Sequence, residues 1–326
     1  MEERVRTSSV PEAEAPARRR LRIGDLTLRG STVAIALGLV ALLAGLLLVL
    51  GQGAAPALTQ MGLGFFTGRQ WDPVTNHFGA LPYIYGTVVT SAVALVLALP
   101  VSIGLALLLS EVRTKWVRNP LTVLVDLLAA IPSVVYGLWG LFVLAPALNT
   151  YLSPFLSRTL GRVPVLGALF VPTPAVGNML NAGVILAIMI VPIITAVSRE
   201  VIATVPADLR EASLALGATR FESIRMAVLP YARSGIVGAT MLGLGRALGE
   251  TIAVSMVIGN GLGISASLLA PGYTIPAVIA NEFREATSTG LQHSALLALA
   301  LVLVVIALAM AAASRMLVRR SEQGFR

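Results

Sequence analysis

The 326-residue chain has no cysteine, which excludes disulfides, thiolate nucleophiles and cysteine metal sites. Lysine is almost absent too: Lys115 stands alone against twenty-three arginines, a bias that fits a GC-rich bacterial genome. Lys115 lies in Arg-Thr-Lys-Trp, whereas a nucleotide-binding P-loop requires Gly-Lys-Ser or Gly-Lys-Thr. The chain therefore cannot hold ATP by that route. If ATP drives it, another polypeptide hydrolyses the nucleotide, and no cofactor, metal or catalytic residue is expected here. The two histidines, His77 and His293, are far apart in sequence and read as loop or helix-end residues rather than ligands. Charged residues make up only 12% of the chain, too few to solvate a soluble domain of this length.

What is abundant is apolar sequence: 56% of residues are hydrophobic and the mean hydropathy is +0.84. A helix needs about 20 apolar residues to cross a bilayer. Six such runs are readable, at 31–51, 84–110, 121–148, 179–204, 234–259 and 291–314. The expectation is an all-α, multi-pass protein of the cell membrane with both termini on one side. The first run follows basic residues as a signal peptide would, but it is long and no clear cleavage site follows, so it reads as a retained helix.

Arginine and lysine orient the spans, because they accumulate in cytoplasmic loops. Seven lie in residues 1–30, three in 111–120, five in 199–233 and four from Arg315 onward. The other side holds Arg69, Arg158, Arg162 and Arg284, and Arg246 falls inside a span. Both termini and the 199–233 connector are thus expected in the cytoplasm. The division that follows is a basic, largely disordered tail over 1–30, a first helix and outer loop over 31–82, a five-helix core over 83–315 and a tail over 316–326. The net charge of +8 follows this topology instead of gathering with aromatics on one soluble face, so nucleic acid is not an expected partner. The lipid bilayer is.

The connector itself is ordered. In VPADLREASLALGATRFESIRMAVLPY, residues 205–231, Pro206 and Asp208 suit a first helical turn, and Leu209, Ala212 and Leu216 share an apolar face. Gly217 is a C-terminal stop, and Thr219 with Glu222 makes a capping box that starts a second helix running to a break at Pro230. An ordinary amphipathic surface loop is the plain alternative. The order Glu211, Ala212, Gly217, Ala218, Leu229 and Pro230, however, resembles the EAA signature of ABC-importer permeases, with Ser213 in place of the usual second Ala and Ala227 in place of Ile. The resemblance implies a type I (MetI-like) permease whose 206–230 hairpin docks in a cleft of an ATPase subunit.

Two charges lie inside the fifth run. Arg246 and Glu250 are four residues apart, on one helical face, where they can pair. Such charges cost roughly 2.5–3.5 kcal/mol each on insertion scales. Either they form a salt bridge that locks helix packing, or Arg246 offers its planar guanidinium to an anion and Glu250 holds it meanwhile. Gly243, Gly245 and Gly249 do not fit a dinucleotide fingerprint; Gly245 and Gly249 read instead as a small-residue face for close helix packing.

DLLAAIPSVVYGLWG, GRALGETIAVSMVIGN and TIPAVIANEF are similar to segments of the PstC-type permeases of bacterial phosphate importers, with Asp126 where Glu is frequent. This resemblance implies a phosphate pathway through Arg246 and Glu250. The partners it implies are a PstA-type second permease, a PstB-type ATPase dimer that uses ATP and magnesium, and a periplasmic or lipid-anchored PstS-type phosphate-binding protein. Two alternatives stay open: a permease of the same architecture for sulfate or molybdate, and a gradient-driven secondary transporter. Trp71, Tyr151 and Tyr273 in the outer loops are expected at a binding-protein surface or at the membrane interface.

Overall fold

The structure is a computed structural model that describes residues 23–112, 114–164, 166–287 and 290–323. The expected disordered tail lies mostly outside them. The chain divides at Val49–Leu50 into two units. The first is the start of α1 (Ile23–Met61), none of whose most apolar stretch is buried, as a lipid-facing helix would be. The helix runs ten residues past the expected end of the first span at 51, to Met61.

In the second unit, α2 (Gly64–Thr67) and a two-stranded hairpin, β1 (Trp71–Asp72) with β2 (His77–Phe78), lead into α3 (Leu81–Glu111). Next come α4 (Lys115–Ala130), α5 (Ser133–Trp139), α6 (Ala145–Ala147) and α7 (Ser153–Thr159), the last three joined by wide π turns. Then follow α8 (Met179–Ala203), α9 (Ala207–Ala215), α10 (Arg220–Ser223), α11 (Leu229–Gly249), α12 (Ile252–Val257), α13 (Ile275–Glu282) and α14 (Leu291–Gln323). Backbone helix thus continues into the expected C-terminal tail.

Among the described residues, five helices are long and apolar enough to span: Thr27–Met61, Leu81–Glu111, Ser133–Arg162, Met179–Ala203 and Leu291–Met316. Two expected spans differ from this. The 121–148 run is cut at Ile131, whose ψ of 129° is extended because Pro132 disfavours helix in the residue before it. Its first half becomes α4, a separate and strongly amphipathic helix. The 234–259 run is cut at Glu250, also extended at ψ 124°, so it becomes α11 and the short α12.

α8 is the central helix: 67% of its most apolar stretch is buried, against 28% for α3 and 22% for α14. Lipid tails are as apolar as leucine, so helix association in a membrane rests on close fit and hydrogen bonds. A side chain at Gly243 of α11 would come within 2.6 Å of Ile194, and one at Gly235 would strike Val201. Ser102 of α3 hydrogen-bonds to the Val191 carbonyl of α8 at 3.3 Å, and Thr195 returns a bond to the Ser102 carbonyl at 3.4 Å. The core here combines Ala94, Ala98, Ile190, Ile194, Ala239, Ala247 and Val257.

The end where α3 and α8 begin is tied down by side chains. Asn178 caps α8 through its Oδ1, which accepts the Asn181 N–H at 2.8 Å, and it donates to Asn149 at 3.0 Å. Trp71 donates to Glu282 at 2.8 Å and packs edge-on against Phe78 and Tyr83, which in turn meets Tyr273. Trp71 and Tyr273 are therefore buried and unavailable to a docking partner, while Tyr151 is 77% exposed.

Candidate functional site

The 206–230 segment folds as a helical hairpin. Pro206 precedes α9 in extended backbone, and Asp208 lies in the first turn. After Leu216, Gly217 adopts φ +89°, a region that strains any residue with a side chain, and its N–H reaches the Leu214 carbonyl at 3.0 Å. Thr219 then caps α10: its Oγ1 accepts the Glu222 N–H at 3.3 Å, and Glu222 Oε2 accepts the Thr219 N–H at 2.7 Å. These hydrogen bonds from the Thr219 backbone and side chain hold the Glu222 carboxyl below the ordinary carboxylate range.

Ser213, which replaces the usual alanine, hydrogen-bonds to Ser223 Oγ at 2.6 Å and so ties α9 to α10. Arg210 ties the hairpin to the membrane helices. Its Nη1 lies 2.9 Å from Glu111 at the end of α3, and its Nη2 donates to the Ile202 carbonyl at 3.0 Å. These partners are 99 and 8 residues away, so no sequence pattern announces the first of them.

Pro230 is not a break. Residues Ile224–Val228 form a π turn that runs straight into α11, with Pro230 in the first turn. The missing proline N–H costs nothing there, since first-turn amides lack helical partners. Leu229 and Pro230 are half-buried at this junction, as is Ala218 in the hairpin; Glu211, Ala212 and Gly217 are exposed. α9 buries none of its residues, so the apolar face of Leu209, Ala212 and Leu216 points outward. Leu216 is 90% and Phe221 71% exposed, and with Ser213, Ala218 and Met226, Leu216 borders a cleft of about 520 Å³.

The other end of α11 carries Arg246. A rise of 1.5 Å per residue places it about 26 Å from Leu229 along the helix. Its side chain is exposed and, among the described residues, has no hydrogen-bond or ion-pair partner. It lies close enough to Tyr136 of α5 to act on the phenol electrostatically. The expected pairing with Glu250 does not form. The helix ends at Gly249, the four-residue register is lost, and Glu250 instead accepts the Ala253 N–H, in the first turn of α12, at 3.4 Å.

The two glycines expected to pack closely do not do so within this chain. A side chain at Gly245 or Gly249 would meet nothing within 4 Å, nor would one at Gly238. Gly238, Leu242, Gly245, Arg246 and Gly249 form one open face of α11, distinct from the face on which a side chain at Gly243 would meet Ile194.

Residues 98–323 match the family described as binding-protein-dependent transport system inner membrane component. The chain is 49% identical over 268 residues to a phosphate transport system permease protein PstC of Xylella fastidiosa, covering 82% of each chain. It is 46% identical over 302 residues to the PstC of Mesorhizobium japonicum, covering 93% of this chain and 92% of that one. Its fold is similar to a chain of a bacterial alginate ABC transporter solved with a periplasmic protein bound to alginate pentasaccharide. That likeness has a TM-score of 0.58 and 18% identity over 91% of this chain and 96% of that one. A chain of the inward-facing MetNI methionine ABC transporter matches with a TM-score of 0.51 at 18% identity, over 74% of this chain and 94% of that one.

Proposed function

The chain belongs to the family of binding-protein-dependent transport inner membrane components, and on that premise we propose that it is a permease subunit of an ATP-driven inorganic phosphate importer. It works in the cell membrane as one part of a multi-subunit ABC importer. A PstA-type permease forms the other half of the pathway, a PstB-type ATPase dimer binds and hydrolyses ATP with magnesium, and a PstS-type binding protein delivers phosphate from outside. Both termini and the 206–230 hairpin face the cytoplasm, the side favoured by the arginine distribution.

An energy source is required because the inside-negative potential opposes an anion. Each charge costs about 2.3 kcal/mol per 100 mV, so a phosphate dianion costs about 4.6 kcal/mol before any concentration gradient. The observation that carries the reading is that one continuous helix, α11, joins the exposed apolar hairpin to Arg246, which has no partner among the described residues. Closure of the ATPase dimer moves the hairpin, gripping it at Glu211, Ala212, Gly217 and Ala218. Leu229 and Pro230 transmit the shift into α11 as a rigid body. The open face at Gly238, Gly245 and Gly249 then meets the second permease, so that Arg246 lines the pathway between the two. Its guanidinium binds the phosphate oxygens. Glu250, freed from Arg246, sets the break between α11 and α12 and limits how long the anion is held.

The test uses the absence of native cysteine. An Ala212→Cys variant, reconstituted with the ATPase, second permease and binding protein, is expected to crosslink to the ATPase subunit and to import radiolabelled phosphate only with ATP. Uptake at the same rate in vesicles lacking the ATPase would sink the proposal.

A further inference from the structure

A cavity of about 840 Å³ lies between α3, α4, α8 and the start of α9, away from Arg246. Three guanidinium groups line it, those of Arg118, Arg199 and Arg210, against one lining carboxylate, Glu200. The nearby Glu111 is already engaged by Arg210. Much of the donor capacity is unused. Arg199 makes a single hydrogen bond, to Thr122 Oγ1 at 3.3 Å, Arg118 has no partner among the described residues, and Arg210 Nε is buried without one. α4, which forms one wall, is amphipathic: Trp116 next to Lys115 is 90% exposed, and Val123, Leu124 and Leu127 present an uncovered apolar side. A helix with a basic, tryptophan-bearing start and an apolar flank lies at the level of lipid headgroups.

We propose that this cavity is a phosphate-group site, filled by the headgroup of an anionic phospholipid or by free inorganic phosphate. Its occupant braces the coupling hairpin against α4 and α8. Guanidinium forks match phosphate oxygens, and basic pockets between helices on the cytoplasmic side suit lipid headgroups. The volume exceeds what a bare phosphate fills, leaving space for a glycerol backbone. Arg210 is the mechanical link, because the same side chain lines the cavity and anchors α9 to the end of α3. The proposal rests on the functional reading for its orientation and for the role of the hairpin.

The test is direct binding to the full chain in nanodiscs, which needs no ATPase and so fails or succeeds separately from the transport reading. Native mass spectrometry would count retained lipid in phosphatidylcholine discs with and without phosphatidylglycerol. A second arm adds inorganic phosphate to discs of phosphatidylcholine alone and follows thermal stability. The expected result is preferential retention of phosphatidylglycerol, a stabilising shift with phosphate, or both. Retention alone identifies the lipid as the source, and the phosphate shift alone identifies the free ion. The pair Arg118→Gln and Arg199→Gln, which spares the Arg210–Glu111 contact, should weaken whichever binding is seen by about tenfold or more. Glu200→Gln should strengthen it, a gain that a misfolded variant cannot mimic. No preference in either arm, or binding unchanged in the arginine pair, would overturn the proposal.

Discussion

Arg246 is three residues from the end of α11, exposed and, among the described residues, without a hydrogen-bond or ion-pair partner; the other charge of this helix, Arg233, lies near its opposite end. Charge in a membrane helix is costly unless it faces a polar path, and on the proposed reading Arg246 meets phosphate there. Replacing it with alanine in the assembled importer should lower phosphate uptake roughly 10–100-fold, the equivalent of a lost hydrogen bond to a charged group. Arg246→Lys should recover part of that, keeping the charge but not the fork. Neighbouring glycines separate two kinds of packing. Gly243→Ala drives a methyl group toward Ile194 and should cost about 1–3 kcal/mol of stability, seen as a lower unfolding temperature of the isolated chain in detergent. Gly245→Ala should leave that temperature unchanged but reduce co-purification with the second permease, since nothing within this chain stands in its way. Equal effects of the two substitutions on the isolated chain would contradict this division.

At the scale of elements, the hairpin holds its shape through a few contacts: the exposed capping box, and the half-buried Ser213–Ser223 bond and Arg210–Glu111 ion pair. A partly exposed ion pair of this kind contributes about 1 kcal/mol, so the caps matter comparably. Thr219→Ala should loosen the start of α10 by about 1 kcal/mol, measured as faster amide exchange over 219–223. The Glu222 carboxyl adds a pH dependence of known sign. Its value in the fold is below the ordinary 4.5, so its contribution is present above that pH and fades as pH falls through the lower, folded value. A spin label at position 220 should therefore gain mobility on the acid side, and Glu222→Gln should remove that step while still able to accept the cap bond. Mobility rising toward alkaline pH instead would refute the assignment.

For the whole molecule, rigidity is distributed unevenly and in a useful direction. The end where α3 and α8 begin is locked by the Trp71–Tyr83–Tyr273 stack and the Asn149–Asn178–Asn181 cluster. The hairpin end is lightly held, and α11 is threaded between them along α8. Force applied at Leu216 or Phe221 should thus reach Arg246 through one helix. Lengthening the π turn at Ile224–Val228 by a one-residue insertion rotates α11 by about 100° relative to the hairpin. Phosphate-stimulated ATP hydrolysis should then uncouple from uptake in proteoliposomes, with ATPase activity retained and transport lost. Retained transport would mean that the helix is not the link.

Composition and spacing settled the membrane class, four of the six expected apolar spans, and the local design of the hairpin: its capping box, its glycine stop and the shared apolar face of Leu209, Ala212 and Leu216. Those features are local: they depend on residues a few positions apart, which sequence displays directly. The tertiary structure decided what depends on distant residues or on how a helix ends. Pro132 and Glu250 cut two runs that hydropathy alone reads as continuous, because a window average does not register a single extended residue. The second cut separates Arg246 from Glu250. Likewise Gly243 rather than Gly245 touches a neighbour, since which face of α11 turns toward α8 is fixed by the whole bundle. Arg210 meets Glu111 across 99 positions only because α3 and α9 end at the same place.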